Sequence, residues 1–168
     1  MKSLLLCLFL SLCGTSLAAQ DMNNQRMEEI LRTVADSITG EAGRWEFHYG
    51  GVVILGLTDE RHDRMRLISP VRHVDEATPA EIFACMEANF HSALDVKYAL
   101  SDDLIWVVFI HPLSPLRESQ LLSALDQVRS AALTYGSTYT STDLVFPGSK
   151  AERKQKQAEA EKKRGSKM

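Results

Sequence analysis

The sequence is poor in the residues that chemistry needs. Of its three cysteines, Cys7 and Cys13 fall within the first thirteen residues, so only Cys85 belongs to the main body. A lone cysteine builds neither an internal disulfide nor a thiolate metal site. The five histidines, His48, His62, His73, His91 and His111, are far apart, and no two stand at a metal-ligand spacing. A G-x-S-x-G elbow, a phosphate-binding glycine loop and a dinucleotide fingerprint are all missing. Nine glycines and five prolines in 168 residues rule out a collagen. Apolar runs are short, and none approaches the roughly 20 residues that cross a bilayer. An enzyme, a cofactor carrier and a metal site are therefore not expected.

What is present first marks the two ends. Lys2, the apolar run Leu4 to Cys13 and the small residues Gly14, Thr15, Ser16, Ala18 and Ala19 read as a secretory signal over residues 1–19. Cleavage after Ala18 puts Ser16 and Ala18 at the small-residue positions. A lipidated Cys13 is the alternative, with the poorly suited Leu12 before it. The expected location is periplasmic or secreted. Residues 150–168 hold eight Lys/Arg and three Glu and almost no apolar residue beyond alanine, which reads as a basic disordered tail. Residues 19–149 hold ten Lys/Arg against nineteen Asp/Glu. The whole-chain charge of −3 therefore hides an acidic body and a basic extension. Such a tail either aids solubility or seeks an anionic surface, such as lipid headgroups or the acidic body of a neighbour. The acidic body opposes nucleic-acid binding.

Between the ends, residues 20–149 read as one domain. Met27, Ile30, Leu31, Val34, Ala35 and Ile38 recur at helical steps, which predicts a helix over 22–39 stopped by Gly40 and Gly43. Trp45, Phe47 and Tyr49 then alternate with polar residues in a strand. Gly50-Gly51 suits a tight hairpin to Val52–Leu57. Arg64–Ile68 is a third strand. Thr78-Pro79-Ala80-Glu81 opens a helix with a capping box. Its expected core face is Ile82, Met86, Phe90, Ala93 and Leu94. Strands at 96–100 and 104–110 flank the turn residues Asp102-Asp103. The last helix starts near Pro115–Arg117, buries Leu121, Leu122, Leu125, Val128, Ala132 and Tyr135, and ends at Gly136. Residues 137–147, Ser/Thr-rich and ending in Leu144-Val145-Phe146-Pro147, either add an edge strand or wrap the body. The resulting order is α-β-β-β-α-β-β-α: an α+β two-layer sandwich, an antiparallel sheet with helices on one face.

This order resembles the type III secretion chaperone-like fold of the Tir chaperone class, over about residues 24–136. The specific part is the second half. A helix carrying Glu87-Ala88-Asn89-Phe90 leads to Val96-Lys97-Tyr98-Ala99-Leu100, then Asp102-Asp103, an apolar strand, Pro112-Leu113 and a leucine-patterned helix. Those chaperones show a similar helix–hairpin–helix with a proline–leucine step. The resemblance implies a non-enzymatic homodimer that binds extended segments of other proteins. Secretion chaperones act in the bacterial cytoplasm, whereas this chain carries an export signal, so the secretion role need not follow the fold. The resemblance carries over no binding motif.

Candidate binding residues come from the chain itself. Arg61, His62, Arg64, Arg66, Arg72 and His73 form a basic stretch in the acidic body. Arg64 and Arg66 share one strand face, where guanidinium groups either hold a partner's carboxylates or form ion pairs with Asp59, Glu60, Asp63 or Glu46. The strand 104–110 is apolar on both faces, which makes Trp106 and Phe109 the candidate apolar contacts. Three helices need not cover the sheet, and an uncovered apolar patch would imply a partner or a dimer. The function expected is protein binding in the bacterial envelope, by a chaperone- or adaptor-like homodimer. The alternative is a tether that docks its basic tail on anionic lipid.

Overall fold

A computed structural model describes residues 21–143. The signal, the stretch Leu144–Pro147 and the basic tail lie outside the described residues.

The chain begins with α1, Asn24–Val34. Asn23 caps it, accepting from the Arg26 amide at 2.8 Å, and Met27, Ile30 and Leu31 form its buried stripe. The helix ends earlier than the apolar count suggests, because Ala35 is already extended. Residues Ser37–Glu41 form strand β1. Ile38 fits a helical step only by coincidence of spacing, and with Thr39, also β-branched, it belongs to a strand. Gly40 does not stop a helix. It lies in β1 at φ +104°, where a Cβ would stand 2.3 Å from the Arg44 carbonyl oxygen.

Strands β2 (Arg44–Tyr49), β3 (Val52–Asp59) and β4 (Arg64–His73) continue the meander. Gly50 and Gly51 both have positive φ at the β2–β3 turn, as a tight primed hairpin requires. A short 3₁₀ turn, Val74–Glu76, leads to α2, Pro79–His91. Its capping box is formed: Thr78 Oγ accepts from the Glu81 amide at 3.2 Å, and the Thr78 amide donates to Glu81 at 2.7 Å. Strands β5 (Lys97–Ser101) and β6 (Leu104–His111) follow. The β5–β6 hairpin turns at Asp102 and Asp103, φ 50° and 59°, a conformation Asp tolerates better than most residues. Helix α3 spans Glu118–Thr134. It starts after Ser114-Pro115, which form a turn closed by the Leu116 amide on the Leu113 carbonyl at 3.1 Å, with Asp63 accepting from the Ser114 amide at 2.6 Å.

The six strands are antiparallel in the order β1-β2-β3-β4-β6-β5. The molecule thus has the α+β sandwich read from the sequence, with one additional edge strand. Trp45, Phe47, Ile54, Met65, Leu67, Ile105 and Val107 face the helices and form the core with Leu31, Leu121, Leu125 and Val128. Helix α3 lies across β3, β4 and β6, α1 beside β1, and α2 beside β5.

Candidate protein-binding surfaces

Helix α2 packs in the opposite sense to its large apolar residues. Its buried residues are the small ones, Cys85 and Ala88. Ile82, Met86 and Phe90, expected in the core, are 37%, 53% and 81% exposed, and Phe83 is 63% exposed. The reason is steric and polar together. Small side chains let α2 come close to β5, and Asn89 then locks the approach. Its Oδ1 accepts from the Tyr98 amide at 2.7 Å and its Nδ2 donates to the Tyr98 carbonyl at 3.0 Å. The Asn89 amide thus imitates a neighbouring strand at the sheet edge. Alternation along an antiparallel ladder makes the next outward backbone pair that of Leu100, whose side chain is itself 63% exposed. Phe83, Met86, Phe90 and Leu100 together make an apolar ridge along α2 and β5.

The floor under the ridge is firmly built. Tyr98 Oη donates to the Ala131 carbonyl of α3 at 2.8 Å. Tyr98, Tyr135 and Tyr139 stack edgewise, and the Arg72 guanidinium sits 5.5 Å from the Tyr135 ring centre. Burial pushes the Tyr135 phenol up to about 12. Burial, helped by the Glu81 charge, pushes the Cys85 thiol up to about 11, so the thiol is an inert core residue. Gln127 of α3, buried and not foreseen, accepts from the Asp95 amide at 3.1 Å and donates to its carboxylate at 3.1 Å. Nothing in the periodicity marks it, since a glutamine on a helix is normally solvated.

The second surface is the sheet face that carries no helix. Cross-strand pairing sets Glu46, Leu55, Ile68, Val108 and Lys97 in one row, and Arg44, Leu57, Arg66 and Ile110 in the next. Ile110 is 56% exposed, and Val53, Leu55, Leu57, Ile68 and Val108 are half-buried. Arg64 and Arg66 point to this face, and neither has a carboxylate within 4.0 Å among the described residues. The expected ion pairs are not formed there: Asp59 instead holds His62 at 2.7 Å, and Arg64 donates to the Asp63 carbonyl. Trp106 shares the face, opposite Pro70, with its Nε1 donating to the Ser101 carbonyl at 3.0 Å. It stands two rows from Arg66, roughly 13 Å along the strand. Phe109 is a correction: strand alternation turns it to the helices, where it is 6% exposed and borders a groove of about 520 Å³ between β6 and α3. It belongs to the core, not to this surface.

Among the described residues, no three metal-ligating side chains come together and no helix is long and apolar enough to cross a membrane.

No family model matches the chain, and no curated protein matches it. Solved structures do. The crystal structure of the Yersinia pestis type III secretion chaperone SycH in complex with a stable fragment of YscM2 aligns over 67% of this chain and 98% of the matched one, at TM-score 0.51 and 16% identity. The structure of the HopA1-SchA chaperone-effector complex aligns over 64% and 87%, at TM-score 0.50 and 12% identity. The chain therefore has the type III secretion chaperone-like fold.

Proposed function

We propose that this protein is a non-enzymatic, chaperone- or adaptor-like protein-binding module of the bacterial envelope. The observation that carries this reading is the ridge of Phe83, Met86, Phe90 and Leu100, large apolar groups that stand 53–81% exposed. A second copy of the chain is its occupant. Two such ridges are self-complementary under a two-fold axis, and β5 lies beside them with an outward backbone pair. The helix-free sheet face takes an extended segment of another protein, with Ile110 and Trp106 as apolar contacts and Arg64 and Arg66 holding its carboxylates. The structural neighbours are complexes with other polypeptides, which supports a protein partner. Envelope location rests on the secretory signal read at the start of the sequence, and cleavage after Ala18 would give mature protein beginning at Ala19.

Sedimentation velocity at tens of micromolar tests the dimer. The reading expects a dimer that the exposed double substitution Phe83→Ser/Phe90→Ser converts to monomer. A strict monomer with no hydrophobic-dye binding would reject it. Arg64→Ser/Arg66→Ser tests the other face: partner capture from the native envelope fraction should fall at low salt, with stability unchanged. Unchanged capture with lowered stability would make the pair structural. Cosedimentation of the full chain with anionic vesicles, lost when the tail's Lys and Arg become Gln, would favour the lipid tether instead.

A further inference from the structure

The sheet has a notch where its edge strand stops short. Strand β5 begins at Lys97, opposite Val108, while β6 runs on through Phe109, Ile110 and His111. Two sets of bonds show which way those last residues face. Asn89 holds the Tyr98 backbone on the outer side of β5, so Lys97 and Ala99 turn theirs to Val108 and Trp106. On the other side of β6, the Leu113 amide donates to the Asp63 carbonyl at 3.3 Å, which puts Phe109 and His111 in phase with β4. Ile110 therefore aims its N–H and C=O away from β4, to where β5 would continue. Among the described residues no strand, turn or side chain pairs them. The chain before β5 is drawn off this line: Leu94 has φ 50°, and Gln127 of α3 takes the Asp95 amide at 3.1 Å. The groove of about 520 Å³ opens there, with Lys97 on one side and Ser119 and Ser123 of α3 on the other. Its edge toward the helix-free face is cationic. Lys97, like Arg66, has no carboxylate within 4.0 Å among the described residues. Asp95, the acid lining the groove, is held by Gln127 Nε2 at 3.1 Å.

From this geometry we infer that the notch seats one extended segment of the partner polypeptide, paired with the Ile110 N–H and C=O in line with β5 and carrying an acidic side chain beside Lys97 and Arg66. This register rests on the reading of the helix-free face as the seat of an extended segment, and it adds the position and charge of that segment. A donor and an acceptor on one residue match those of one residue in an antiparallel strand, so the edge selects peptide backbone. Pro112, next in phase, has no N–H, so the full pair is offered at Ile110 alone. Residues directly opposite share a face, which puts the paired side chain in the row of Arg44, Leu57, Arg66 and Ile110. Lys97 then stands roughly 7 Å along the strand line and Arg66 roughly 10 Å across it, both within reach of long side chains. The residues on either side of the paired one point into the groove, toward Phe109 and α3.

Amide hydrogen exchange of the full chain, read residue by residue by NMR, tests the notch. Without ligand, the Ile110 amide should exchange at least about 100-fold faster than that of Phe109. Equal protection would mean a closed edge and would overturn the proposal. The probes are acetyl-TVTETVT-amide, acetyl-TVTKTVT-amide and the first peptide with its glutamate N-methylated. At millimolar concentration the glutamate peptide should slow Ile110 exchange about tenfold, and the other two about threefold at most. Slowing by none of the three, or equally by all, would end the proposal. Two variants of exposed residues keep the fold and sharpen the result. Lys97→Glu should remove the preference for glutamate, and Ser119→Trp, which fills the groove from α3, should abolish the slowing. An unchanged response in either counts as refutation. Capture by the Arg64→Ser/Arg66→Ser variant judges the sheet face separately. Capture that needs those arginines, with Ile110 left unprotected by every peptide, sinks the notch and leaves that reading standing.

Discussion

Helices α1 and α2 carry similar apolar spacing and are used in opposite ways. In α1 the large residues Met27, Ile30 and Leu31 are 0–4% exposed, Val34 packs beside them, and the remaining positions are polar or charged. In α2 both sides are apolar, but the small side faces inward and the large side faces out. The comparison teaches that periodicity locates a stripe without saying what it rests on. Where two stripes compete, side-chain size and a fixed hydrogen bond decide. The closer approach through Cys85 and Ala88 lets Asn89 satisfy both backbone groups of Tyr98, which a helix seated on Phe83 and Phe90 could not reach.

Truncation should break the comparison most visibly. Leu31→Ala should cost about 2–5 kcal/mol in urea unfolding, whereas Phe90→Ala on α2 should change a monomeric protein by about 0.5 kcal/mol or less. Equal losses would mean that Phe90 is covered within the fold. A smaller effect is expected at the lock. Asn89→Ala leaves two backbone groups of the edge strand without their partner and should cost about 1–3 kcal/mol. Asn89→Asp, which keeps the acceptor and loses the donor, should lie between, and a loss no larger than an ordinary surface substitution would remove Asn89 from its role.

The smallest expected effect concerns the corner that places α3. The Ser114 amide holds the Asp63 carboxyl below the usual aspartate range, aided by the Ser114 hydroxyl. Because the folded value is the lower one, Asp63 adds stability above its unfolded pKa of about 3.9, and that stability is lost as pH falls through the folded value. Asp63→Asn should therefore flatten the acid limb of the stability curve, with little change at neutral pH beyond the lost charge-assisted bonds. An unaltered acid limb would show that the Asp63–Ser114 contact does not form in solution.

Much of the fold was legible because its signals are local. The capping box at Thr78 and Glu81, the Gly50-Gly51 turn and the alternation of Trp45, Phe47 and Tyr49 each depend on residues near in sequence. Strand β1 was hidden because Ile38 completes a helical count started by α1. The buried Gln127 was hidden because its partner, Asp95, lies 32 positions away. Of the candidate site, the shared face of Arg64, Arg66 and Trp106 follows from strand parity once the register is known. The inward turn of Phe109 does as well, but a strand apolar on both sides shows no parity to read.

The amino-acid order alone determined where most helices and strands lie, β1 excepted, and that the sheet is antiparallel, since capping and turns act over a few residues. Which side of α2 meets the sheet, and so which large side chains remain in water, was decided only when Tyr98 and Asn89, nine positions apart, came together. That choice is a competition between packing distances and backbone hydrogen bonds, and neither exists until the chain has folded.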